Sequence, residues 1–367
     1  MKRIGIVVGH HQERALALKA AILASDPSAD VLLDEETFSA DDPAFKKSDC
    51  KINNFKAVRR LAARGAQIVA FSCKCPHFFL SEMQKETCTP MADPADGQGE
   101  LLSAPDYARR ILAMDATPLP KPFKIGIIGG LGPAASVDLY DKIVKATPAQ
   151  NDQQHYKLAV EQNPQTPDRT KCLLEGGEDP TLALYMSAKR LEDDDCDCVI
   201  IGCNTAHAFV PGIERHIGIP FVNMQQTTMD EIAARLGDKA RIGLMATSGT
   251  VKTGIYSDKA KAMGMPIFVP DEAHQELVMR AIYGPQGAKA GFTTGQCYSD
   301  LSAAAEYLVN TYDCNVLILG CTELPLIFDE GDMTIAGKTV YIIDPTSALA
   351  RRVVRMAGMA ALERGRL

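Results

Sequence analysis

No stretch of this chain stays apolar for long. Its uncharged hydrophobic runs are strand length, far short of the roughly 20 residues a membrane helix needs. Basic runs are equally missing, and the formal net charge is −7. An acidic chain without a lysine- or arginine-rich patch is a poor partner for nucleic acid or an anionic membrane surface. The opening Met1-Lys-Arg-Ile-Gly-Ile-Val-Val-Gly9 starts charged, but its apolar run stops too soon for a secretory leader and no cleavage site follows. Eleven cysteines without an export signal therefore read as reduced thiols of a cytoplasmic protein. No two of them have the two-residue spacing of a zinc knuckle or a thioredoxin motif, so no metal is expected. What remains is a globular composition, 46% hydrophobic and 23% charged. At 367 residues the chain is too long for one ordinary core, and two or three lobes are expected.

Two stretches organise the rest. Cys198-Val-Ile-Ile-Gly-Cys203-Asn-Thr-Ala-His207 and Val316-Leu-Ile-Leu-Gly-Cys321-Thr-Glu323 are short apolar runs ending in Gly-Cys and small polar residues. Such runs read as buried strands, and the cysteine falls at the carboxyl tip, where open α/β sheets bind ligands. A single cysteine is more often a small core residue, and Cys196, Cys198 and Cys314, at the other ends of these strands, read that way. Cys203 and Cys321 differ in being flanked by Asn204-Thr205 and Thr322-Glu323. Two thiols facing one substrate suit a definite task. Inverting a carbon that bears hydrogen requires a base on one face and an acid on the other, and a thiolate and a thiol supply both.

The remaining polar features suit an anion. Gly129-Gly-Leu-Gly-Pro133 runs from a strand into a helix without the Gly-x-Gly-x-x-Gly spacing of a dinucleotide site. It is a tight turn or a carboxylate seat at a helix N-terminus, and Thr247-Ser-Gly-Thr250 is the equivalent turn further on. Arg169 follows a strand and offers the fork that grips carboxylates, although a surface ion pair is the common fate of an arginine. Lys289 sits in the Gly-rich loop Gly284–Gly291.

Read in order, strands are expected at 2–8, 67–72, 124–129, 158–161, 198–201, 219–223, 240–246, 316–320 and 339–343. Helices are expected at 46–64, 104–114, 135–146, 180–191, 227–236, 251–263, 273–283, 300–312 and from 346. The alternation indicates βαβ units and a mostly parallel sheet. Thr117-Pro-Leu-Pro-Lys-Pro122 marks a linker. The segment before it looks like a copy of the segment after it. At a spacing of 130 residues Cys73 corresponds to Cys203, His77 to His207, Phe79 to Phe209 and Pro90 to Pro220. The copy is degenerate, since Lys74-Cys75 replaces Asn204-Thr205 and neither the glycine turn nor the Arg169 loop has a counterpart. A non-catalytic role in packing, oligomerisation or effector binding is expected of it.

Taken together, Ile125-Gly-Ile-Ile-Gly-Gly-Leu-Gly-Pro133, Asn163-Pro-Gln-Thr-Pro-Asp-Arg-Thr170, Gly202-Cys-Asn-Thr-Ala-His207 and Gly320-Cys-Thr-Glu323 resemble the cofactor-independent aspartate/glutamate racemases. The aspartate racemases are the nearer group. The resemblance covers residues 123–367, about two thirds of the chain. It implies two pseudo-symmetric Rossmann-like or flavodoxin-like α/β lobes with mostly parallel sheets and a cleft between them. The expected divisions are an N-terminal α/β lobe at 1–116, the linker 117–122, a first racemase lobe at 123–236 completed by a helix at 343–367, and a second lobe at 237–342. The resemblance further implies Cys203 and Cys321 as catalytic acid and base, no pyridoxal phosphate, and a homodimer. Arg169 and Lys289 would grip the side-chain carboxylate of a dicarboxylic amino acid, while Asn204, Thr205 and Thr322 would meet the α-carboxylate, with Thr170 and Thr247 beside them. Ser136 stands where the family often has Thr, and Pro285-Gln-Gly287 lengthens the Lys289 loop. Maleate isomerisation, hydantoin racemisation and a non-catalytic binding role are the alternatives.

Overall fold

The computed structural model describes residues 1–34 and 47–363. Lys46, expected to open a helix, and the last four residues of the expected terminal helix lie outside the described residues. Contacts divide the chain once, into Met1–Lys121 and Pro122–Leu367, a cut that falls inside the Pro-rich stretch.

Within Met1–Lys121, β1 (Arg3–Val7), β2 (Asp30–Asp34) and β3 (Ile68–Phe71) form a parallel sheet in the order β2-β1-β3. Neighbouring strand residues point to opposite faces. One face buries Ile4, Ile6 and Ile68 against helix residues Leu18, Ile22, Tyr107 and Ile111. The other buries Val7, Val69 and Phe71 against Val58 and Leu61. Ser103 caps the Ala104–Ala113 helix by accepting from the Asp106 N–H. The helix Gln12–Ser25 and the strand β2 have no counterpart in the sequence reading. β2 is an edge strand, half-buried except at Asp34, and the helix buries only Ala15, Leu18 and Ile22, so neither shows a long apolar signature.

Within Pro122–Leu367, β4 (Lys124–Gly129), β5 (Lys157–Gln162) and β6 (Cys198–Ile201) form a second parallel sheet, ordered β5-β4-β6. The five-stranded sheet β10-β11-β9-β7-β8 contains β7 (Ile242–Ala246), β8 (Ile267–Phe268), β9 (Val316–Gly320), β10 (Gly331–Ile335) and β11 (Lys338–Ile343). Among the described residues of this sheet, only the β10–β11 pair is antiparallel. These two strands meet at Ala336-Gly337, both at positive φ (50° and 76°), the conformation of a tight hairpin turn. The last helix, Pro345–Glu363, returns from this sheet to the other lobe, where Leu349, Ala350 and Val353 pack with Ile125, Ile127 and Leu139.

Two expected elements differ. The strand expected at 219–223 is a single parallel bridge, Val199 to Phe221. Pro220 has no N–H to donate, and Asn223 already caps the helix Met224–Leu236 by accepting from Gln226 N–H. The helix expected at 251–263 is two helices, Ser248–Lys252 and Ile255–Ala262, separated at Gly254 in a left-handed conformation.

Candidate active site

β6 runs through Gly202 to Cys203, and β9 ends at Gly320 immediately before Cys321. Gly320 permits a close approach: a Cβ there would sit 2.7 Å from Ala246 Cβ on the paired strand β7. Both thiols are buried, Cys203 at 9% exposure and Cys321 at 7%. The Cys203 turn is braced by His207, whose Nδ1 lies 2.9 Å from the Cys203 carbonyl and whose Nε2 accepts from the Met224 N–H at 3.2 Å. These partners assign the proton to Nδ1. Complete burial pushes the His207 pKa down to about 4, so the ring is neutral at pH 7.

All nine residues singled out from the sequence line one cavity: Cys203, Cys321, Arg169, Thr170, Asn204, Thr205, Thr247, Lys289 and Thr322. It is narrow, with about 20 Å³ of free volume, and Leu131, Asp168, Tyr283, Gly320 and Glu323 also line it. The β6 tip supplies Cys203, Asn204 and Thr205, and the β9 tip supplies Cys321, Thr322 and Glu323. The β7 turn contributes Thr247, which caps the helix Ser248–Lys252 by accepting from the Thr250 N–H. Arg169 and Thr170 open the short helix Arg169–Glu175, capped by Asp168. Thr170 packs against the β7 turn, since a Cβ on Gly249 would lie 3.0 Å from its hydroxyl.

The polar groups are largely engaged with one another. The Cys321 thiol donates to Glu323 Oε2 at 3.0 Å, and the Thr322 hydroxyl donates to the same oxygen at 3.3 Å. Glu323 Oε1 is ion-paired with Lys289, whose ammonium also lies 5.4 Å from the Tyr283 ring centroid. Burial, then the Glu323 charge, raise the Cys321 pKa well above its ordinary value; Lys289 opposes them. Burial works against the charge of Lys289, but the paired Glu323 carboxylate helps to outweigh it, and the Lys289 pKa is raised. Gly132, at φ 135°, has no room for a side chain: a Cβ would be 2.7 Å from Glu323 Oε1. The hydroxyls of Thr205, Thr247 and Thr250 form a triangle with sides of 2.9 to 3.2 Å. Arg169 donates to the carbonyls of Leu131, Thr166 and Pro167. Two buried donors of residues that line the cavity, Arg169 Nε and Asn204 Nδ2, have no partner among the described residues. Unpaired buried donors are costly, and a carboxylate oxygen, which only accepts, is the kind of group that satisfies such a donor.

A family model described as Asp/Glu/Hydantoin racemase matches residues 128–353. The chain belongs to the Asp/Glu/hydantoin racemase family. A solved structure, the Picrophilus torridus aspartate racemase, is 29% identical with a TM-score of 0.54, covering 64% of this chain and 94% of that one. The broad specificity amino-acid racemase RacX of Bacillus subtilis (strain 168) is 26% identical over 63% of this chain and 96% of its own length. Glutamate racemase from Shewanella sp. (strain MR-4) is 33% identical over 158 residues, 42% of this chain. The chain spans about half, 54%, of that racemase's length. The racemase family match begins in β4 and ends in the final helix, and so contains both Gly-Cys tips.

Sequence reasoning gave no role to two neighbours of the thiols, Tyr283 and Leu131. Tyr283 belongs to no motif, and Leu131 stands in the Gly129–Pro133 turn, where the glycines rather than the leucine drew notice. Glu323, in the Gly-Cys-Thr-Glu motif, reads from the sequence as able to tune the thiols or brace the turn, but its pairing with Lys289 depends on how the Gly284–Gly291 loop folds back. Among the described residues, no group of three or more His, Cys, Asp or Glu is placed to hold a metal ion. No described helix is long and apolar enough to cross a membrane.

Proposed function

We propose that this protein racemises an acidic amino acid, aspartate first, by passing a proton through Cα between Cys203 and Cys321. The observation that carries the reading is the meeting of both thiols in one cavity with Arg169, Lys289 and the two unpartnered donors. Cys321, held protonated by burial and by Glu323, is the acid. Cys203 acts as a thiolate and takes the α-hydrogen as a proton from the opposite face. The electron pair left on Cα delocalises into the α-carboxylate, which Asn204 Nδ2 steadies by donation. Cys321 then returns a proton to the other face, and the two sulfurs finish with exchanged protonation states. The opposite enantiomer runs the sequence backwards, with Glu323 positioned to share the Cys321 proton.

Arg169 Nε and Lys289 meet the side-chain carboxylate in this reading. The cationic charge of Lys289 is already balanced by Glu323, so Arg169 carries more of the recognition. The aspartate racemase named above supports aspartate, and the broad specificity relative argues for a panel of substrates. The test is incubation of L-aspartate in deuterium oxide without added pyridoxal phosphate. D-aspartate carrying α-deuterium is the expected product. Failure of aspartate, glutamate and other amino acids alike would remove the reading, and turnover of maleate or a hydantoin in their place would favour those alternatives.

A further inference from the structure

Asn204 offers a donor to the cavity only if its amide is held one way round, and the structure shows what holds it. Gln225 Nε2 lies 3.1 Å from the Asn204 backbone carbonyl and 3.3 Å from the Asn204 side chain. A carbonyl only accepts, so Gln225 must present its NH₂ group there. The Asn204 atom beside that NH₂ is then Oδ1. Tyr256 donates its hydroxyl to the same Oδ1 at 2.7 Å. With Oδ1 held by two donors, Nδ2 is left unpartnered in a residue that lines the cavity and is 3% exposed. Gln225 and Tyr256 are both fully buried. Tyr256 comes from the helix Ile255–Ala262, which packs with the β7 sheet, whereas Asn204 follows β6. The bond therefore ties the donor of one lobe to the opposite lobe.

We propose that Tyr256, assisted by Gln225, is a positioning residue that fixes the Asn204 amide as a donor to the substrate carboxylate. Neither residue lines the cavity, so each would reach the substrate through Asn204. The inference rests on the reading that the cavity takes an anionic amino acid. Without the phenol hydroxyl, the amide can turn its oxygen toward the carboxylate and repel it.

A double-mutant cycle on the full chain tests this, with Tyr256→Phe, Asn204→Ala and the combination. Tyr256→Phe keeps the buried ring and removes one oxygen. It should raise the KM for aspartate about tenfold, or ~1.4 kcal/mol, with a smaller change in kcat. In the Asn204→Ala background the same substitution should change KM little. A merely structural tyrosine would cost the same in both backgrounds, and that result overturns the proposal while leaving the racemase reading intact. If wild type turns over no substrate, the racemase reading fails, and calorimetric titration with succinate reads the same cycle from binding alone. Additive or absent effects on succinate affinity would again overturn the proposal. Should Tyr256→Phe not fold, Gln225→Met removes the second restraint and takes its place in the cycle.

Discussion

The tips of β3 and β6 are built on one backbone and differ in nearly everything attached to it. Val69 bridges Met91 as Val199 bridges Phe221, and short 3-10 turns follow at Cys75–Phe78 and Thr205–Ala208, all at the same spacing of 130. Arg60 pairs with Asp34 as Arg190 pairs with Glu161. At the β3 tip, however, burial and then neighbouring Cys75 push the Cys73 thiol up to about 12. Lys74, in the place of Asn204, pairs with Glu100, and His77 lies 2.9 Å from the Asp93 carboxylate, half-exposed, where its counterpart His207 is sealed against the Cys203 carbonyl. Backbone hydrogen bonds preserve the scaffold. The chemistry at the β6 tip comes from side chains delivered by a second sheet, Thr247 from the β7 turn and Cys321, Thr322 and Glu323 from β9.

Removing either sulfur should break that difference most severely. Cys203→Ala and Cys321→Ala are each expected to cut racemisation of both enantiomers by roughly 10²–10⁴-fold, the usual worth of a general acid or base, as read by circular dichroism or chiral chromatography.

A smaller effect is expected at Glu323. Its carboxylate helps hold the proton on Cys321, so Glu323→Gln lowers the Cys321 pKa. In the direction where Cys321 acts as acid, activity is lost as pH rises through that pKa. The alkaline limb of kcat/KM should therefore move to lower pH for one enantiomer. An unmoved limb would show that Glu323 does not control this thiol.

The two histidines sharpen the comparison through stability. His207 is depressed to about 4 in the folded protein from an ordinary 6.5. Above pH 6.5 neither state takes a proton. As pH falls from 6.5 toward 4 the unfolded state does and the native state does not, so stability is lost. Between pH 7 and pH 5 wild type should lose about 2 kcal/mol more than His207→Asn in urea unfolding. His77→Asn removes only a half-exposed pair and should cost roughly 0.5 kcal/mol. The smallest effect belongs to Cys73→Ala, which should leave turnover of aspartate unchanged; a large loss would make the β3 tip a working site.

Much of this was legible before any coordinates. The β4, β6, β7 and β9 runs are continuous and apolar because parallel strands are buried on both faces, and the Gly-Cys tips mark where they end. The half-buried edge strand β2 and the alternating β10 carry no such run, and Pro220 reduced an expected strand to one bridge. The same limit applies in the cavity. Arg169 and Lys289 were visible as cations, but the carbonyls that occupy Arg169 and the carboxylate that neutralises Lys289 were not.

Sequence alone determined the family, the parallel lobes and the two thiols, since each is written in contiguous residues whose local physics is self-sufficient. Only the tertiary structure decided which donors are free, which proton Cys321 holds and what orients Asn204. Those properties depend on burial and on partners such as Tyr256, 52 positions away in the chain, and hydrogen-bond direction is set by what stands opposite rather than by what stands next in line.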